Sequence, residues 1–380
     1  QALRLEAREG ERASGGVLLR RRPRDGRAIA VTVCLRHVLR DMGDLLAKPI
    51  LFPAPLLAHP ESTSIIWEEC PEGTPGGGQR RPFLWLPSQG DAESRGLPAK
   101  TIIYFHANAE DLGAAEEHLT LLRRHLRVNV LAVEYPGYGL CPADRSTGCG
   151  FGAQNVVQGI DHAGMHALRW LITNKGLPAG NIVLHGHSIG TGPALRLAKY
   201  VQEKFRWSVG GVILQSPFTS IANIAHDYAG AAGALLMPNY YDNMETLREM
   251  CSKVPGSCPR PWIPLLIVHG AMDGVIPTSH GRALFQEARK LGHPSAYASF
   301  PATATHTHYE RVEDLVSPLQ NFMNLHVGHA HERGSERFSV LMCTAPAMCI
   351  KPGAPEDATV GDAEGREVTA GDAPARKWSQ

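Results

Sequence analysis

The sequence predicts an α/β protein in which a mostly parallel sheet carries helices on both faces and opens with an antiparallel hairpin. Three observations predict it. β-like and helix-like segments alternate from about residue 49 to 327. The stretches 101–106, 128–134, 209–215 and 264–269 are short, rich in β-branched residues and nearly uncharged, as strands covered on both faces must be. Between the first two of these, Leu112, Ala115, Leu119, Leu122 and Leu126 recur at helical spacing and form one apolar stripe to lay on a sheet.

The elements follow in order. Residues 62–70 and 82–86 flank a Gly/Pro-rich loop at 71–81 and read as the hairpin. The strand at 101–106 leads to the helix just described, and the strand at 128–134 ends in the turn Tyr135-Pro136-Gly137-Tyr138-Gly139. A helix is expected over 156–174, then a strand at 181–185, a helix after Gly190 and a strand at 209–215. An excursion at 216–261 precedes the strand at 264–269, a helix at 279–291 and a last strand at 295–300. Val312, Leu315, Leu319 and Phe322 mark a closing helix, with a kink expected at Pro318.

The ends differ in composition. Residues 1–41 hold ten arginines and no lysine, aromatic residue or methionine, and they read as a disordered basic arm. The first methionine is Met42, so an equally supported reading starts the native protein there. The tail 328–380 is rich in Gly, Ala, Pro and Asp without periodicity and is also expected to be disordered. The folded domain is therefore placed at 42–327. A net charge of +1 offers no field for nucleic acid. Eight scattered cysteines without paired spacing fit a reducing compartment, and the longest apolar runs are too short to span a bilayer. The expected location is cytoplasmic, with peripheral membrane association left open.

The chemistry concentrates at Gly186-His187-Ser188-Ile189-Gly190, a G-x-S-x-G between a predicted strand and a predicted helix. Small residues two before and two after the serine let strand and helix approach, and the sharp turn lifts Oγ above the C-terminal edge of the sheet. The Ile189 amide then faces a developing oxyanion. The segment lacks the lysine of a phosphate loop, which argues against nucleotide binding. A nucleophilic serine needs a base and an orienting acid. Asp273 follows the strand at 264–269 and His306 follows the strand at 295–300, so both belong at the sheet edge that carries Ser188. His308 rivals His306 as base, and Asp242 and Asp227 rival Asp273, with capping or surface roles favoured for those two aspartates. The loop after 101–106 should supply the second oxyanion donor, and the Asn108 amide is the choice; His106 beside it reads as structural. His326, His329 and His331 have metal-like spacing but no carboxylate or cysteine frame, so no metal is expected.

Five segments occur in order: Phe105 to Gly113 (FHANAEDLG), Tyr135 to Gly139, Gly186 to Pro193 (GHSIGTGP), Ser216 to Ser220 (SPFTS) and His269 to Asp273 (HGAMD). Together they resemble the α/β-hydrolase-domain-containing 17 and 13 group of serine hydrolases, over roughly 49–327. The resemblance implies the α/β-hydrolase fold with a small lid or none. It implies hydrolysis of acyl thioesters or esters through an acyl-serine, with no cofactor and with an acylated protein or a small acyl ester as partner. Protein depalmitoylation leads on these grounds, small-ester hydrolysis follows, and a non-catalytic binding module of the same fold is the alternative from another class.

Two departures stand out. The group has His-Gly-Asn where this chain has His106-Ala107-Asn108, which puts an extra methyl at the oxyanion loop. The N-terminal cysteine cluster of the group is replaced by Cys34 alone, with Met42-Gly43-Asp44-Leu45-Leu46-Ala47 as an imperfect myristoylation start. Finally, Ile221, Ile224, Ala229, Leu235, Leu236 and Met237 in the excursion are expected to help line an acyl-binding cleft beside Ser188.

Overall fold

Strand alternation explains the architecture best. In the computed structural model, which describes residues 47–54, 62–70, 78–88, 100–142, 152–252 and 261–327, successive core-strand side chains enter two different apolar layers. Ile103, Phe105, Leu131, Val133, Leu184 and Leu214 face one layer; Ile102, Tyr104, Val130, Ala132, Val183 and Ile213 face the other. A sheet covered on both sides has no use for polar alternation, which is why these strands read as unbroken apolar runs.

Among the described residues the strands are β1 (Ile65–Glu69), β2 (Arg80–Leu86), β3 (Thr101–Phe105), β4 (Asn129–Val133), β5 (Ile182–His187), β6 (Gly211–Gln215), β7 (Leu265–Val268) and β8 (Ala296–Ser299). They form one sheet in the order β1-β2-β4-β3-β5-β6-β7-β8. The β1–β2 and β2–β4 pairs are antiparallel and the rest parallel, with Phe105 opposite Gly186 and His187 opposite Gln215. This is the mostly parallel sheet with an antiparallel opening that the sequence predicts.

Helix α1 (Leu112–Leu126) starts where Asp111 accepts a hydrogen bond from the Ala114 amide (2.8 Å), and its stripe of Leu112, Ala115, Leu119 and Leu122 is buried. It shares its layer with α7 (Ser317–His326), through Leu319, Phe322 and Met323. Helices α2 (Ala153–Thr173), α3 (Thr191–Phe205), α5 (Asn243–Cys251) and α6 (Ser279–Lys290) contribute to the other layer. Between β6 and α5 lies α4 (Ile221–Leu236), broken at Ala229 and at Gly230, whose φ of 64° suits glycine.

The closing segment departs from expectation. Instead of one helix kinked at Pro318, residues 311–316 wind as a wide turn in which the Ser317 amide reaches back five residues to Val312. Pro318 then sits in the first turn of α7, where a missing N–H leaves no helical bond unmade. In the excursion, Ile221 is core, while Leu235 and Leu236 are 86% and 70% exposed, so α4 presents apolar side chains outward. The arm 1–41, the tail 328–380, His329, His331, Cys34 and residues 42–46 of the myristoylation-like start lie outside the described residues. No helix among those described is long and apolar enough to cross a membrane.

Candidate active site

β5 delivers Ser188 to the C-terminal edge of the sheet and α3 begins three residues later. Turning that fast puts Ser188 in the left-handed region, at φ 55°. The flanking glycines are required by contact. A methyl on Gly186 would overlap the Gly190 carbonyl, and one on Gly190 would overlap the Phe105 carbonyl. The Thr191 hydroxyl closes the turn on the Ser188 carbonyl at 2.7 Å.

His306 lies on the loop after β8 and Asp273 on the loop after β7. His306 Nε2 is 3.1 Å from Ser188 Oγ, and His306 Nδ1 is 2.8 Å from Asp273 Oδ2. The structure thus brings together the three residues chosen from the sequence. His308 is exposed; its amide bonds the Thr305 hydroxyl. Of the rival acids, Asp242 caps α5 by accepting from the Glu245 amide, and Asp227 pairs with His280 at 2.7 Å.

Asp273 is fully saturated. Oδ1 accepts from the Val275 and Ile276 amides (2.9 and 2.8 Å), and Oδ2 faces His306 and, at 3.3 Å, His269 Nε2. Burial alone would raise its pKa. The hydrogen bonds from His269, His306 and the Ile276 amide outweigh that and hold the carboxyl well below the usual carboxylate range. It is therefore ionised at neutral pH.

On the oxyanion side, the Ala107 amide donates to Glu110 Oε2 at 2.9 Å, and Asn108 Oδ1 accepts from the Tyr138 hydroxyl and the Ala109 amide. The positive φ in this loop falls on Ala109 (56°), not on Ala107, so the methyl that replaces a glycine here meets no left-handed backbone. His106 is fully buried. Its two ring nitrogens face Glu134 Oε1 (3.0 Å) and the Ala107 carbonyl (2.9 Å), both acceptors, which calls for the doubly protonated ring. Burial opposes that charge, but the bond to Glu134 and its carboxylate prevail and raise the pKa. His106 therefore supports the loop from beneath.

Sequence reasoning passed over His187 and His269. His187 Nε2 is 3.1 Å from the His306 carbonyl, and His269 holds both Asp273 and, at 2.9 Å, the Ile276 carbonyl. Each is a histidine at the C-terminal end of a buried strand, one residue before Ser188 and four before Asp273, and that placement was the available signal. Among the described residues no group of three or more His, Cys, Asp or Glu is placed to hold a metal.

No family model matches the chain. Curated relatives do. The chain is 29% identical over 194 residues to human α/β-hydrolase domain-containing protein 17B, covering 51% of this chain and 57% of that protein. It is 30% identical over 194 residues to protein 17C of Xenopus tropicalis, covering 51% and 53%. The chain thus spans about half the length of the curated relatives it matches. Among solved structures, an esterase of Pyrococcus furiosus superposes with a TM-score of 0.50 at 16% identity, over 72% of this chain and 97% of the other. An acylaminoacyl peptidase of Pyrococcus horikoshii does so with a TM-score of 0.51 at 10% identity, over 71% and 43%. At those identities the likeness is one of fold, and the fold is that of the α/β-hydrolases.

Proposed function

We propose that this chain, an α/β-hydrolase by fold and similar to the domain-containing 17 proteins, is a serine hydrolase that cleaves acyl thioesters or esters, with protein depalmitoylation as its leading activity. The observation that carries the reading is the relay Ser188–His306–Asp273, joined at 3.1 and 2.8 Å at the edge where β5, β7 and β8 end. In this reading His306 Nε2 takes the Ser188 proton as Oγ attacks the acyl carbon. The amides of Ile189 and Asn108 receive the oxyanion; the Ala107 amide, already bound to Glu110, is not assigned. His306 returns the proton to the departing thiolate or alkoxide, which leaves acyl-Ser188. Water, deprotonated by the same imidazole, then releases the carboxylic acid. Asp273 holds the ring in the required tautomer and stabilises its charge.

The preference for a long acyl chain rests on apolar surface near the acid. Met272 and Val275 flank Asp273 and are exposed, and the Tyr228 hydroxyl of α4 donates to the Val275 carbonyl at 2.6 Å. That bond draws the exposed Tyr228 to the same rim. An exposed apolar rim suits a chain that must be drawn from a protein or lipid surface, and each methylene it covers is worth about 0.8 kcal/mol. The test has two arms. A fluorophosphonate probe should label the protein and fail on Ser188→Ala; labelling that survives the substitution removes the nucleophile assignment, and a wild-type protein that does not label would be a binding module. kcat/KM across thioesters should rise toward long chains, whereas a maximum at acetyl or butyryl would leave a small-ester hydrolase.

A further inference from the structure

The relay is built from loops far apart in sequence: Ser188 and His306 are separated by 118 residues. Both ends of the base loop are tied to the loop of the acid. The Met272 amide donates to the Ala304 carbonyl at 2.9 Å, and the Gly270 amide donates to the Tyr309 hydroxyl at 3.2 Å. These bonds register His306 against Asp273. They do not register it against Ser188, which rides on a different strand.

We infer that His187 is the positioning residue that supplies this second registration, by donating its Nε2–H to the main-chain carbonyl of His306. The inference rests on the reading of His306 as the base. His187 is the last residue of β5 and the immediate neighbour of Ser188, and it is buried. Its ring lies 5.4 Å from that of His306, tilted by 34°, and its Nε2 stands 3.1 Å from the His306 oxygen. A carbonyl only accepts, so Nε2 must carry the proton. The nucleophile and the middle of the base loop are thereby held by adjacent residues, the last of β5 and the first of the turn that follows it.

The choice of histidine has a chemical reason. Lysine or arginine could make the same bond but would set a fixed positive charge beside an imidazole that must become imidazolium. His187 donates without charge. Burial, with the neighbouring His306 and more distant His118 and His185 adding to it, pushes its pKa down to about 3, which outweighs the bond to the His306 carbonyl. The tie therefore holds the base in place without opposing its protonation.

Two variants and one spectrum test this. His187→Gln keeps an N–H donor at the reach of Nε2; His187→Phe keeps ring and burial but not the donor. With a p-nitrophenyl ester, His187→Phe should lose about tenfold to a hundredfold in kcat, with KM within about twofold. His187→Gln should recover to within about threefold of wild type. In the wild-type protein, nitrogen-15 NMR should show His187 neutral and protonated at Nε2 from pH 5 to 9, a readout that needs no variant to fold. Full kcat in His187→Phe, a Gln variant as slow as the Phe variant, or a proton on Nδ1 would each overturn the assignment while Ser188→Ala and His306→Ala remain inactive. If those two controls keep the wild-type rate, the reading of the site fails first and this role falls with it.

Discussion

Asp273→Asn isolates the acid without emptying its place. The carboxylate meets four donors: two amides on Oδ1, and His306 Nδ1 and His269 Nε2 on Oδ2. An asparagine has one acceptor oxygen and one NH2. If the oxygen keeps the two amides, the NH2 faces His306 Nδ1 and forces that nitrogen to accept. The ring proton then moves to Nε2, which points at Ser188 Oγ and can no longer take its proton. A wrong tautomer in such a relay costs about ten-thousandfold in kcat with the geometry intact. The stability cost is smaller, because a charge-assisted pair of bonds is lost while a buried charge is also removed; about 2 kcal/mol is expected. Steady-state hydrolysis of an acyl ester gives kcat, and urea unfolding monitored by circular dichroism confirms the fold. A folded Asp273→Asn protein within tenfold of the wild-type kcat would refute the reasoning.

Three further outcomes follow from the same geometry. Gly190→Ala should destabilise the domain by about 3 kcal/mol or more, because its methyl would meet the Phe105 carbonyl and backbone cannot step aside; an unchanged melting temperature would contradict this. Burial pushes His185 and His187 down to about 3, so the unfolded chain binds more protons than the folded one between about pH 3 and 6.5. Their stabilisation is complete above about pH 6.5 and declines on acidification, by about 2 kcal/mol apiece down to pH 5. Urea midpoints that stay flat from pH 7 to 4.5 would count against the histidine contribution; the depressed pKa of Asp273 adds a further loss below about pH 4, and midpoints that stop falling there would count against it. Finally, Leu235→Ser with Leu236→Ser should leave stability within about 0.5 kcal/mol, since both side chains are exposed. If α4 contacts the acyl chain, the pair should lower the long-over-short preference in kcat/KM roughly tenfold, and an unaltered ratio would remove α4 from the substrate path.

The parallel sheet was legible because strands covered on both faces must be apolar throughout, and the segments around residues 103, 131, 213 and 266 have no other use for such runs. Ser188 was legible because its turn has a local steric demand, met by Gly186 and Gly190. Asp273 and His306 could be placed at strand ends by chain order, and His306 was preferred to His308 two residues on, but that its ring faces Ser188 depends on the bend of one loop. The roles of His187 and His269 were not legible, since each depends on a carbonyl or carboxylate brought to it by folding. The same holds for the excursion. Its apolar composition favoured cleft lining but also fits a surface helix, and only the tertiary structure shows Ile221 in the core with Leu235 and Leu236 facing out. Local sterics and periodicity are written in neighbouring residues, and so the sequence by itself determined the sheet and the turn that carries Ser188. Which distant groups meet, and which apolar side chains stay uncovered, depends on contacts that exist only once the sheet has closed, and that the tertiary structure alone decided.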